Sequence, residues 1–199
     1  MIFEPYGKIP RLQRPIVVSE KIDGTNAQIL IEREGAFEGG PPAEYYIPVT
    51  VDGEEYCVMF GSRKKYIKTG DDNFGFAAFF TPKAADLVRV LGEGRHYGEW
   101  WGIGIQRGYG MVSRQFSLFN TYRWEPHAME LSKLNIRTVP VLYAGPMCDT
   151  TQFIDTLKNC GSFAAPGYDK PEGIVIWHEA ARMAFKQTVE NDDKPKGQA

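Results

Sequence analysis

Lys21 stands in the run Glu20-Lys21-Ile22-Asp23-Gly24-Thr25-Asn26. The β-type residues Ile16, Val17 and Val18 precede it, and a tight Asp-Gly turn follows at once. An apolar stretch, Ala27 to Ile31, comes next. This spacing puts one amine at a strand-to-turn junction beside carboxylates. An amine attacks only when neutral, and an ordinary lysine is mostly protonated at neutral pH. Partial burial or a nearby cation favours the neutral form. A divalent metal on an attacked phosphate supplies such a cation, and Asp23 is placed to orient the amine or a metal-bound water. Lys-x-Asp-Gly is a short pattern, and a solvated turn lysine is the competing reading.

Other residues offer matching chemistry. Glu99, in Gly98-Glu99-Trp100-Trp101-Gly102, can accept a hydrogen bond from a ribose hydroxyl or hold a metal's water. It can equally be a structural glutamate beside core tryptophans. In Phe116-Ser117-Leu118-Phe119-Asn120 the alternation sends Phe116 and Phe119 to opposite faces, so one of them can offer a flat surface to a base. Glu172 and Gly173 open the run Ile174-Val175-Ile176. A glutamate at a strand mouth suits a hard divalent cation, and the glycine permits close approach. Lys186 can neutralise a phosphate or be a surface charge. Arg63 heads the basic cluster Arg63-Lys64-Lys65 with Lys68, and its guanidinium can grip a phosphate through two bonds. His96, His127 and His178 lack metal-ligand spacing and are expected to be structural. The glycines form no Walker-type phosphate loop.

The elements that must position these residues are mostly short strands. Pro15 to Ile31 predicts two strands joined through the Asp23-Gly24 turn. Gly39-Gly40-Pro41-Pro42 predicts a loop. Val51-Asp52-Gly53-Glu54 predicts a hairpin turn. Ala77 to Leu91 predicts a helix with Phe79, Leu87, Val90 and Leu91 buried, and Pro82 starting its regular part. Further strands are predicted at Arg95–Trp101, Gln115–Tyr122, Val139–Tyr143, Gly173–His178 and Met183–Thr188. Helices are predicted at His127–Leu134 and Thr150–Asn159. The expectation is an α+β fold of antiparallel β-sheets with flanking helices. The polar stretch 190–199 is expected to be a mobile tail.

With 199 residues and 43% apolar content, the chain is long enough to bury a core. A net charge of −2 gives no strong whole-protein attraction to nucleic acid, so any such binding needs a local patch. Cys57, Cys148 and Cys160 are distant and odd in number, which argues against zinc and disulfides and for reduced thiols in the cytoplasm. No secretory leader or membrane-spanning apolar run is evident, and no membrane association is expected.

Taken in order, these segments resemble the covalent nucleotidyltransferase superfamily of DNA ligases, RNA ligases and mRNA capping enzymes. Glu-Lys-Ile-Asp-Gly-Thr-Asn and Phe-Gly-Ser-Arg-Lys-Lys-Tyr-Ile look most like the RNA ligase 2 type, as in small phage and bacterial proteins. The resemblance runs from about Val17 to Gln187. It implies a ligase adenylation domain, ATP-grasp-like, over residues 1–189, with no appended OB-fold or helical substrate domain.

It also implies roles. Lys21 matches the lysine that attacks the α-phosphate of ATP and carries AMP. Glu20, Ile22 and Asn26 match positions lining the nucleotide pocket. Arg63 matches an arginine that contacts the nucleotide, Glu99 the acid that bonds the ribose, and Phe119 the aromatic that stacks on the base. Glu172 matches the carboxylate associated with Mg²⁺ or Mn²⁺, and Lys186 a lysine on the α-phosphate. The family often has Lys-x-Lys in its last motif, and here the first position is Ala184, with Arg182 nearby as a substitute. The implied partner is nucleic acid with 5′-phosphate and 3′-hydroxyl ends, RNA ahead of DNA, with a partner protein supplying a missing substrate domain. Two alternatives share the motifs: an adenylylating, nucleic-acid-binding protein without independent ligation, and a capping-type guanylyltransferase or DNA ligase core.

Overall fold

A computed structural model describes residues 2–35, 42–190 and 192. In chain order the strands are β1 (Ile16–Lys21), β2 (Thr25–Arg33), β3 (Ile47–Val51), β4 (Glu54–Ser62) and β5 (Tyr66–Ile67). Helices α1 (Phe76–Phe80) and α2 (Ala84–Leu91) follow, then β6 (Gly94–Gly102) and β7 (Arg114–Leu118). Next come α3 (Thr121–Trp124), α4 (Ala128–Ser132), β8 (Ile136–Thr138) and β9 (Val141–Gly145). Helix α5 (Thr151–Cys160) and strands β10 (Gly173–His178) and β11 (Met183–Thr188) complete the series. The α+β expectation holds, and β7–β8 is the one parallel pair among the named strands.

The chain divides into two compact units, one of residues 1–22 and 140–199, the other of residues 23–139. Both lie within the stretch that the resemblance treats as one adenylation domain. The first unit contains a four-stranded antiparallel sheet in the order β11-β10-β1-β9. Ile16 and Val18 of β1 and Ile174 of β10 face its core, where Ile154 and Leu157 of α5 meet them. Those two helix positions are three apart and share one face.

The second unit has a sheet in the order β3-β4-β2-β6-β7-β8, with β5 pairing on β4. Ala27, Ile29, Val58, Phe60, Trp100, Phe116 and Leu118 turn toward α1 and α2 in one core. Phe76 is its hub. Its ring centroid lies 5.0 Å from Phe116, 5.0 Å from Phe80 and 5.4 Å from Trp100, all edge-on, the arrangement that ring quadrupoles favour.

The hairpin at Val51–Glu54 forms as the sequence predicts. Asp52 and Gly53 both have positive φ, 52° and 84°, the pattern of a type I′ turn. The two terminal strands also fall where expected. Several expectations differ, among them the helix over His127–Leu134, of which only Ala128–Ser132 is α-helical. Strands β1 and β2 flank the Asp-Gly turn but belong to different sheets. The helix over 77–91 is broken by a 3-10 turn, Thr81–Lys83, around Pro82, which lacks the N–H a continuous helix needs. The strand from Gln115 stops at Leu118, because the Asn120 side chain accepts the Arg123 N–H and starts α3. The strand over 139–143 begins only at Val141. Residues 39–41 of the expected loop, and 191 and 193–199 of the tail, lie outside the described residues. All three cysteines are free thiols. No described helix is long and apolar enough to cross a membrane.

Candidate active site

Lys21 is the last residue of β1. Alternation along the strand buries Ile16, Val18 and Glu20 and leaves Val17, Ser19 and Lys21 on the other face. Cross-strand pairing aligns Ser19 with Val175 and Val175 with Lys186. Val17, Trp177 and Ala184 form the neighbouring row. Lys21, Lys186 and Ala184 therefore share one sheet face. The Lys21 Nζ donates to Glu172 Oε2 at 2.6 Å, with the two side chains 19% and 7% exposed. Glu172 immediately precedes β10, and its carbonyl accepts the Val189 N–H at 2.9 Å.

Glu20 turns away from Lys21. Its carboxylate accepts the Ser162 hydroxyl at 2.6 Å and the Phe163 and Ala164 N–H groups at 2.8 Å each. Burial pushes its pKa up, against the effect of these three bonds. The Glu20 side chain thus anchors the loop after α5. Ile22 is buried.

In the second unit, the Asp23-Gly24 turn is held from three sides. The Asp23 N–H donates to the Tyr109 hydroxyl at 2.8 Å, and Arg107 Nε donates to Asp23 Oδ2 at 3.0 Å. The Gly24 N–H donates to Glu99 Oε1 at 3.2 Å. A Cβ on Gly24 would lie 2.5 Å from the Trp100 carbonyl oxygen and 2.8 Å from Trp101 Cβ. The glycine of Lys-x-Asp-Gly is thus required by its close approach to the strand that bears Glu99. Asn73 accepts the Thr25 hydroxyl and donates to the Asn26 carbonyl, at 3.1 and 3.2 Å.

Asn26, Glu99 and Ser117 pair across β2, β6 and β7 and share the sheet face opposite the Phe76 core. Arg63 follows Ser62, which pairs with Ala27, so it leaves the sheet beside Asn26. It is exposed, with no ion pair among the described residues. In the rest of that cluster, Lys65 pairs with Asp71 and Lys68 with Glu44. Phe119 is 43% exposed while Phe116 is fully buried, as the alternation predicts. Trp100 joins the Phe76 core. Trp101 takes the opposite face, donating to the Ser117 hydroxyl at 2.9 Å and packing edge-on against Tyr109.

Sequence reasoning missed Tyr109, Arg107 and Asn73. Glycines 102, 104, 108 and 110 all have positive φ. That glycine density is the one signal that could have marked the loop holding Tyr109 and Arg107. The histidines behave as structural groups. His96 Nε2 donates to the Gly92 carbonyl at 3.0 Å, and desolvation pushes its pKa down to about 4. His178 donates to the Leu12 carbonyl and accepts the Ala181 N–H.

Among the described residues, no three His, Cys, Asp or Glu side chains converge as a metal cage. Glu172 is a single hard oxygen donor engaged with Lys21. That donor set fits a Mg²⁺-like ion that keeps its waters and arrives with phosphate oxygens. A cavity of about 200 Å³, lined by residues including Tyr45, Ile67 and Lys68, contains none of the predicted site residues.

The family model for RNA ligases matches residues 14–191. Solved structures of Naegleria gruberi RNA ligase are similar. A lysine-to-alanine mutant with ATP and manganese is 15% identical, with a TM-score of 0.61, covering 92% of this chain and 52% of that one. The same ligase with pyrophosphate is 14% identical at TM-score 0.55, covering 92% and 53%. A glutamate-to-alanine mutant with AMP and manganese is 15% identical at TM-score 0.52, covering 87% and 49%. The chain spans about half the length of these solved structures, and identity at this level establishes likeness of fold. No curated protein matches the sequence.

Proposed function

The chain belongs to the RNA ligase family, and on that premise we propose that it is an ATP-dependent RNA ligase acting through a covalent Lys21-AMP. The observation that carries this reading is the Lys21–Glu172 contact at 2.6 Å, on a sheet face that also presents Lys186. An ammonium ion has no lone pair, so the contact must open before attack. A Mg²⁺ ion held by Glu172 would supply positive charge that favours the neutral amine and stabilises the phosphate oxygens.

Lys21 Nζ then attacks the α-phosphorus. The N–P bond forms, the bond to the bridging oxygen breaks, pyrophosphate leaves, and the amine gives up a proton. Lys186 neutralises charge on the α-phosphate oxygens. Glu99 and Asn26 hold the ribose side of the nucleotide, Phe119 stacks on the base, and Arg63 contacts its phosphates. In the second step a 5′-phosphate oxygen displaces Lys21 from phosphorus. In the third, a 3′-hydroxyl attacks the activated 5′-phosphate and AMP leaves, sealing the strand.

The test is incubation with α-labelled ATP or GTP and Mg²⁺ or Mn²⁺, followed by denaturing electrophoresis. ATP is expected to label the chain covalently and Lys21→Ala to abolish labelling. A labelled Lys21→Ala protein refutes the assignment, and preference for GTP replaces it with guanylyl transfer.

A second reading is self-adenylylation without independent sealing, with a partner protein completing the reaction. It is favoured by Ala184, which stands on the Lys186 face where the family often has a second lysine. Supplying nicked RNA and DNA duplexes and 5′-phosphorylated single strands separates the two, because only a ligase yields a sealed product.

A further inference from the structure

The sheet face that carries Asn26 and Glu99 extends into a second row of side chains. Tyr97, Gln28, Gly61 and Tyr66 pair across β6, β2, β4 and β5. The Phe119 N–H donates to the Tyr97 carbonyl at 3.0 Å. Tyr97 is 47% exposed and Phe119 is 43% exposed. Arg95, two residues before Tyr97 on the same strand, is on the same face and also exposed.

Arg95 is braced unusually. A Cβ at Gly61 would come within 2.8 Å of the Gln28 side chain, so Gln28 lies flat over the bare glycine. Gln28 donates through Nε2 to the Ser62 carbonyl at 3.1 Å, which fixes Oε1 to accept from Arg95 Nη1 at 3.1 Å. This partner is neutral. Arg33, Lys65, Lys68 and Arg89 each meet a carboxylate, whereas Arg95 makes no salt bridge among the described residues. Its guanidinium is oriented in advance yet keeps its charge for an outside anion. An exposed tyrosine beside such an arginine matches one repeat of a polynucleotide, a flat base with a phosphate next to it.

We propose that Arg95 and Tyr97 form a binding strip for single-stranded RNA, with a base stacked on Tyr97 and the adjoining phosphate held by Arg95. The choice of RNA rests on the ligase reading. The strip adjoins the residues assigned to ATP but includes none of them, so its variants affect RNA binding and leave Lys21-AMP formation intact.

The test uses the full chain and a fluorescent, 5′-phosphorylated single-stranded RNA read by anisotropy, with Lys21-AMP labelling run on the same preparations. Tyr97→Ala is expected to weaken RNA binding about tenfold, while Tyr97→Phe, which keeps the ring, binds like the parent. Arg95→Gln is expected to lower the salt dependence of binding by about 0.7 in log–log slope, the loss of one phosphate contact. Unchanged RNA affinity in both Tyr97→Ala and Arg95→Gln overturns the strip. A parallel loss of Lys21-AMP formation in well-folded variants also overturns it, placing these residues in nucleotide binding. Failure of the parent itself to label with ATP sinks the ligase reading, while the affinity comparison still decides the strip.

Discussion

His96 makes the protein labile to acid by an amount the structure allows one to work out. It lies on β6 between Arg95 and Tyr97, 2% exposed, and its ring packs 5.3 Å from Trp124. Desolvation holds its pKa at about 4, against 6.5 for a free imidazole, and the Arg123 charge adds to the effect. A pKa lower in the folded state means that the unfolded chain binds more protons, so stability falls as pH drops from the unfolded value toward the folded one. The full shift of about 2.5 units corresponds to about 3 kcal/mol. Most of it is lost between pH 6.5 and pH 4, with about 2 kcal/mol gone by pH 5. The assay is urea unfolding of the parent and His96→Gln, followed by tryptophan fluorescence at pH 7 and pH 5. Gln keeps an N–H donor for Gly92 and cannot titrate. The parent is expected to lose about 2 kcal/mol more than His96→Gln on acidification. Equal losses in the two proteins refute the reasoning.

Two further outcomes follow from packing. Gly24→Ala sets a Cβ against the Trp100 carbonyl and displaces the Gly24–Glu99 hydrogen bond. It should cost about 1–3 kcal/mol in urea unfolding and weaken ATP binding by calorimetry, and a neutral effect on both contradicts the close approach. Phe76→Ala empties the hub of the aromatic core and should cost about 3–5 kcal/mol of stability, while a loss under about 1 kcal/mol contradicts its placement.

Much of this was legible where local chemistry decides. The Asp52-Gly53 turn needs positive φ at two successive positions, and few residue pairs other than Asp-Gly or Asn-Gly supply it. Phe116 and Phe119 differ in burial as the alternation suggests, although β7 ends at Leu118 and Phe119 is the first residue beyond it. What was not legible depended on partners far along the chain. Nothing near Glu20 shows that Ser162, Phe163 and Ala164 will claim its carboxylate. No local pattern shows that β1 and β2, separated only by Ile22, Asp23 and Gly24, will join different sheets. Arg107 and Tyr109 were invisible because their significance lies in reaching back to Asp23.

The unit that holds Lys21 is assembled from two stretches of sequence separated by the whole of the other unit. During synthesis, residues 23–139 are all available to each other before β9, β10 or β11 has been made. Strand β1 meanwhile leaves the ribosome ahead of residues 23–139 and waits unpaired, an edge open to chaperones or to a wrong neighbour. Glu172, 151 residues downstream of Lys21, is translated late. Lys21 thus obtains its carboxylate and its β10 strand partner only after the whole of the second unit has been made. A chain cut short after Val139 lacks Glu172 and the strands β9 and β10 that flank β1, so Lys21 has neither its carboxylate nor its sheet.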